Sequence, residues 1–297
     1  MLTCNQKGFY DLNVHEKCFQ NNLRRTLETL YSLGYRTVAV NQLIDVDSIP
    51  ETKKKKKKGE PRETLDCLPE PFDLNPIKET AAALNYESLT FLNRLTLKFS
   101  SQDTLHKYLK SINFKKYDLF GVIPVTREAL TFVCSSLEAD ILSFDVETRL
   151  NLRLQRKLFT QLVDRNYHLE LTYGPAIEDS TKRKNLINIS HLFHTYGKSK
   201  NIIFSSGAEF YMHIRNPYDV ISLGFLFGLN ELQSKNSVMN LPRKVIVNAT
   251  GRRHGKSVML VENMDTIVEE SVLVVSDEES EDEDMDTDEP LQKKSKQ

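Results

Sequence analysis

The sequence predicts an α/β fold in which a parallel sheet closes into one barrel, with an inserted lysine-rich loop and an acidic C-terminal tail. Three observations predict it. Short β-rich apolar runs alternate with amphipathic stretches about seven times, which implies parallel strands joined by helical crossovers. A length of 297 residues suits a single closed barrel better than two domains, although periodicity alone leaves an open doubly wound sheet as the alternative. Two segments break the alternation, and neither carries a sustained apolar period.

The predicted strands are Phe9–Asn13, Tyr35–Val40, Arg94–Phe99, Leu119–Val122, Asp140–Phe144, His168–Thr172 and Asn201–Ser205. Between them, Leu23, Leu27 and Leu30 share a face of a helix over Asn21–Leu33, with Gly34 as its C-cap. Thr126–Leu137 reads as a second helix, and Thr181–Tyr196, with Leu186, Ile189 and Phe193 aligned, as another. Arg149–Gln155 is expected to run extended into a helix near Arg156. Asn216 as cap and Pro217 at the first helical position start a further helix through Leu229.

The interruptions are Ser48–Pro76 and the tail. The first holds six consecutive lysines (Lys53–Lys58) and five prolines, and reads as a flexible insertion. The expected division is thus a barrel over 1–268, carrying the insertion at 48–76, and a disordered tail over 269–297. Cys4, Cys18, Cys67 and Cys134 form no closely spaced pair, so structural zinc on cysteine is set aside and reduced thiols are expected. No apolar run approaches the ~20 residues of a membrane span. No signal-like N-terminus is present either, so an intracellular protein is expected, without membrane contact.

The net charge of -1 conceals an asymmetry. Residues 276–297 hold ten acidic residues and three lysines, leaving 37 basic against 31 acidic residues in 1–275. From Asp145 to Leu260 the count is 17 basic to 9 acidic, which favours a polyanionic partner.

Where strand C-termini meet helix N-termini, amide donors and positive dipole ends gather and suit anions. Three features are expected there. Lys182, Arg183 and Lys184 stand in a first helical turn, where they oppose the macrodipole unless an anion is bound. Ser205, Ser206 and Gly207 follow a strand as a candidate phosphate-facing loop. Arg215 stands beside another helix start, either clamping phosphate or pairing with Asp219. The run Gly251–Ser257 lacks P-loop spacing and reads as an exposed basic loop, with Arg252, Arg253 and Lys256 as candidate RNA contacts. Catalytic patterns are poor: His191 and His194 share a helical face without HExxH, and no GxSxG elbow occurs.

Several stretches resemble the 30-kDa protein subunit of eukaryotic and archaeal ribonuclease P. They are Asp11-Leu12-Asn13, Leu33-Gly34-Tyr35, Val38–Asn41, Asn93–Thr96, Tyr117-Asp118, Pro175–Thr181, Ser205–Ala208, Arg215–Val220 and Leu223–Leu229, running in the family's order. The resemblance implies a TIM-like (β/α) barrel that binds RNA without catalysing cleavage. It further implies work in ribonuclease P, which removes 5′ leaders from precursor tRNA, and in ribonuclease MRP, which acts in ribosomal RNA processing. The implied partners are the RNA subunits of both particles, precursor tRNA in the complex, a small ferredoxin-like protein subunit and other subunits. The implied location is the nucleus and nucleolus, and no cofactor is implied.

Related barrels are metal phosphoesterases of the polymerase-and-histidinol-phosphatase type, which end the first strand with an HxH metal pair. Here Asn13 stands at the first histidine position, and Asn is a poor transition-metal ligand. The rival reading is a metal-dependent phosphoesterase using Asp11, His15, Glu209 and His213. In the tail, Ser276 and Ser280 precede acidic residues and suit an acidophilic kinase. Lys53–Lys58 and Lys293–Lys296 are candidate nuclear-import signals.

Overall fold

A computed structural model describes residues 8–48, 68–150, 152 and 154–255. Seven parallel strands follow one another in sequence order around one sheet. They are β1 (Phe9–His15), β2 (Tyr35–Asp45), β3 (Thr90–Phe99), β4 (Leu119–Pro124), β5 (Ile141–Ser143), β6 (His168–Thr172) and β7 (Ile202–Ser205). The sheet curls until the residues just past β7 reach β1. There Val14 bridges Ala208, the His15 amide donates to Ala208 O at 3.0 Å, and the Gly207 amide donates to Asn13 O at 2.7 Å. The result is a nearly closed seven-stranded α/β barrel, as the alternation predicts.

Ten α-helices are described: α1 (Glu16–Ser32), α2 (Asn75–Ala83), α3 (Gln102–Leu109), α4 (Arg127–Ser135), α5 (Arg156–Asp164), α6 (Gly174–Glu178), α7 (Ser180–Gly197), α8 (Pro217–Leu226), α9 (Glu231–Val238) and α10 (Asn240–His254). Among the described residues, no helix is long and apolar enough to cross a membrane. The outward face of the strands supplies the main core: Leu97, Val122, Leu142, Leu171 and Phe204 pack with Val133, Phe159, Leu186 and Phe193 of the helices. Leu27, Leu30 and Ile77 of α1 and α2 cover Val38, Val40 and Phe91 in the same way.

The inward face has two levels. Near the strand N-termini it is apolar: Leu12, Ala39, Leu92, Leu119, Ile141 and Ile203 meet Val245, Ile246 and Ala249 of α10, which closes the base of the barrel. Two residues further along β2, β3, β5 and β7 the same face turns polar, because side-chain direction repeats with period two. Ala39 leads to Asn41, Leu92 to Arg94, Ile141 to Ser143 and Ile203 to Ser205, all buried.

Some boundaries differ from expectation. Helix α1 begins at Glu16, capped by His15, and a non-helical Asn22 breaks it where the predicted helix starts. The expected insertion at 48–76 is too long, since Leu68 is buried and its carbonyl accepts from Asn113 at 3.0 Å, while Tyr117 Oη donates to Pro69 O. The lysine run and the tail lie outside the described residues. The basic run expected as a loop is helical through His254, because α10 continues to that residue. Cys18 and Cys134 are buried free thiols, with pKa values pushed up to about 11 by burial.

Candidate functional site

The polar level of the barrel interior is organised by Arg94 and Glu170, both fully buried. Arg94 lies on β3 between Asn41 of β2 and Leu119 of β4, while Glu170 lies on β6 opposite Ser143 of β5. The guanidinium donates to the two carboxylate oxygens at 2.5 and 2.6 Å, a bidentate fork. It donates further to Leu12 O at 2.8 Å and to Thr96 Oγ1 at 3.1 Å. Glu170 also accepts from the Ser143 and Ser205 hydroxyls. Thr96 donates to Asn41 Oδ1 at 2.7 Å, and Asn41 Nδ2 donates to Asn13 Oδ1 at 2.9 Å. Burial pushes the Glu170 carboxyl up, but the Arg94 charge and these hydrogen bonds overcome it and hold the pKa below the ordinary value.

Gly121 belongs to the same network. A Cβ there would stand 3.0 Å from Arg94 Nη2 and 3.1 Å from Thr96 Oγ1, so only glycine leaves the guanidinium its place.

These residues do not fit a metal centre. Asn13 donates no imidazole, and its side-chain oxygen is already engaged by Asn41. Asp11 is buried, and its Oδ1 accepts from the Asn13 and Ser206 amides at 3.1 Å each. Burial is the main cause that raises its pKa to about 6. His15 caps α1, accepting from the Lys17 amide at 3.2 Å. Glu209 pairs with Lys17 at 3.3 Å, and His213 with Glu178 at 3.1 Å. Each of the four rival residues thus has a contact within the chain, His15 and Glu209 both with Lys17. Among the described residues, no three His, Cys, Asp or Glu converge on a point suited to an ion.

The predicted cations on α7 and before α8 follow strands, whereas Arg252 and Arg253 belong to the last described helix. Lys182, Arg183 and Lys184 open α7, where the Asp179 side chain caps the Thr181 amide at 3.0 Å. Lys182 pairs with Glu147 at 3.2 Å, and Arg183 donates to Ala176 O at 2.9 Å, so the chain supplies part of the counter-charge that this turn requires. Lys184 is exposed, with no described ion-pair partner. Arg215 lies between β7 and α8. Its carbonyl accepts from Tyr35, the first residue of β2, at 2.9 Å, and its amide donates to Tyr173 Oη at 3.2 Å. The nearby Tyr218 ring packs edge-on against Phe9, the first residue of β1. The alternative Arg215–Asp219 pair does not form among the described contacts.

Arg252 and Arg253 sit at the opposite end, under the N-termini of β5 and β4. Arg252 grips both oxygens of Asp140, at 3.0 and 2.8 Å, and Arg253 pairs with Asp118. Lys256, Ser276 and Ser280 lie outside the described residues.

The expected phosphate-facing loop makes its described hydrogen bonds within the chain. Ser205 donates to Glu170, Ser206 Oγ donates to Asn13 O at 3.1 Å, and the Ser206 and Gly207 amides bond Asp11 and Asn13. Gly207 takes a left-handed φ of 59° to make this turn. These donors close the barrel and do not point at a ligand. Sequence reasoning missed Arg94 and Glu170 as the centre of the interior. The available signal was a lone charge at the middle of each apolar strand, in Leu92-Asn93-Arg94-Leu95 and Leu169-Glu170-Leu171.

Comparison with known proteins agrees with this architecture. The family model for RNase P subunit p30 matches residues 8–254. The mouse ribonuclease P protein subunit p30 is 31% identical over 249 residues, covering 83% of this chain and 87% of that protein. The Saccharomyces cerevisiae ribonuclease P/MRP protein subunit RPP1 is 26% identical, covering 80% of this chain and 75% of that one. A chain in the cryo-EM structure of archaeal ribonuclease P with mature tRNA has the same fold, with a TM-score of 0.59 at 17% identity, over 91% of this chain and 99% of that one. The chain belongs to the RNase P subunit p30 family.

Proposed function

We propose that the chain is a non-catalytic, RNA-binding protein subunit of ribonuclease P and ribonuclease MRP, acting in precursor tRNA 5′-leader removal and ribosomal RNA processing. The observation that carries the non-catalytic part is the occupied interior. At the centre of the barrel interior, Arg94 and Glu170 neutralise each other at full burial and engage the surrounding hydroxyls and the Leu12 carbonyl. A guanidinium never loses its proton in a protein, and a carboxylate saturated by donors is a poor base.

The RNA-binding part rests on family membership and on surface cations. Lys184 and Arg215 are exposed without a described ion-pair partner, and Lys182, Arg183, Arg252, Arg253 and Lys256 complete the proposed contacts. Cations on different faces suit a subunit wedged between RNA segments. In this reading the RNA subunits, precursor tRNA and a small ferredoxin-like protein are its partners, and the nucleus and nucleolus its location. Ser276 and Ser280 are the proposed phosphate acceptors of the tail.

The test is reconstitution. Particles assembled with Lys184→Glu and Arg215→Glu should bind RNA more weakly, with a shallower dependence on salt, because each lost phosphate contact removes about one unit of log–log slope. The purified chain should leave precursor tRNA intact in magnesium or manganese. Cleavage by the protein alone, or unchanged affinity and slope in the variant particle, would refute the reading.

A further inference from the structure

Beneath the N-termini of β4 and β5, a cleft of 670 Å³ lies between α3, the turn Asn113–Lys116, the end of α4 and the last turn of α10. That size falls in the ~300–1,000 Å³ range of small-ligand sites. Its described lining includes none of the polar residues of the barrel interior.

Its walls are flat and already held. Phe114 is braced edge-on by Phe120, with ring centroids 4.9 Å apart. Arg252, fixed by both oxygens of Asp140, lies over the Phe114 ring at 5.9 Å. On the other side, His106 meets Phe132 edge-on at 5.4 Å and contacts Gln102 at 3.2 Å. Three charged or titratable groups on the rim are exposed and have no described partner: Lys115, His254 and Glu138.

From this arrangement we infer that the cleft takes one unstacked nucleotide of an RNA strand whose base carries an exocyclic amine. The inference deepens the RNA-binding reading and rests on it. Single-stranded RNA is recognised by splaying bases onto aromatic rings and guanidinium planes, and Phe114, His106 and Arg252 supply both kinds of surface. Lys115 and His254 suit the phosphate. Glu138 accepts hydrogen bonds only, so it selects cytosine, adenine or guanine, which offer an amine, over uracil. Rim groups exposed to solvent leave room for the strand to enter and leave.

The chain contains no tryptophan, so His106→Trp in the full-length protein places a single tryptophan, excited selectively over the tyrosines, at an exposed wall of the cleft. Titration with r(C)5 should quench it saturably, with r(U)5 about fivefold weaker and CMP weaker than r(C)5. Adding Lys115→Glu should weaken r(C)5 about tenfold, and adding Glu138→Gln should bring r(C)5 and r(U)5 together. Unlabelled wild-type protein competing for r(C)5 checks that the reporter has not created the site. No quenching by any oligonucleotide overturns the inference, as does CMP binding as tightly as r(C)5. Either failure leaves the broader reading standing if the particle still loses RNA affinity on Lys184→Glu and Arg215→Glu. Loss of neither overturns the broader reading instead.

Discussion

Removing Arg94 alone should be far more damaging than removing the charge of the Arg94–Glu170 pair as a whole. In Arg94→Met, Glu170 stays fully buried and loses both forked donors, while Leu12 O and Thr96 Oγ1 lose theirs. Breaking a buried pair from one side costs about 3–5 kcal/mol, which lowers Tm by roughly 6–20 °C for a domain of this size. In Arg94→Met/Glu170→Gln the remaining amide oxygen still accepts from Ser143 and Ser205, and no net charge is stranded. The double variant should therefore recover about 1–3 kcal/mol relative to additivity. The pH dependence has a definite sign. In the wild type the Glu170 pKa is depressed, so its contribution is present above the ordinary carboxylate range and is lost as pH falls through the lower folded value. In Arg94→Met burial prevails and the folded pKa rises above the unfolded one. The deficit should then be greatest near neutrality and shrink in acid, as Glu170 takes up a proton. Urea unfolding of the four proteins of the cycle at pH 7 and pH 5 measures all of this. A single-variant loss below about 1 kcal/mol, or a deficit that deepens in acid, would refute the buried-pair account.

Gly121→Ala should destabilise the fold by about 1–3 kcal/mol, read in the same urea assay, because its Cβ meets a guanidinium with no room to withdraw. Asp11 and His168 should oppose each other between pH 4 and 6.5. Burial raises Asp11 to about 6, so its ionisation weakens the fold as pH rises through that value. Burial lowers His168 to about 4, so its protonation weakens the fold as pH falls below 6.5. Each spans roughly 3 kcal/mol. Asp11→Asn should therefore make stability fall steadily with acid across this window, and a pH profile identical to wild type would contradict it. Asp140→Ala should loosen α10, since Arg252 then keeps its charge half-buried without a partner. Hydrogen exchange in α10 should rise, and exchange in α1 should not.

The strands were legible as short apolar runs because the barrel buries both their faces, and the flanking helices because each buries one. His168–Thr172 is found at its expected limits, and Pro217 after Asn216 starts α8 as the capping chemistry requires. What escaped were elements without a one-sided stripe. Helix α10 meets the end of the barrel rather than its flank, so Val245, Ile246 and Ala249 are buried among polar neighbours and its arginines look like loop residues. At the candidate site the residue types of Lys182–Lys184 and Arg215 were plain, but charge counting cannot foresee partners brought from far along the chain. Glu147 is 35 residues from Lys182, and Asp140 is 112 from Arg252. Asp11–Asn13 stands where related barrels are expected to carry an HxH pair. Its role is to receive the turn after β7, which no local pattern announces.

That turn gives the ring an uneven perimeter. Six joints are paired at two residues or more, whereas the seventh is fastened at one residue pair with a few amide and hydroxyl ties around it. Among the amides that join strands, the first to exchange with solvent should be those of Gly207 and His15, well before the ladders between β2, β3 and β4 yield. A circle with one clasp also has a natural place to widen, and a neighbour pressing on β1 would strain that clasp before disturbing any other part of the wall.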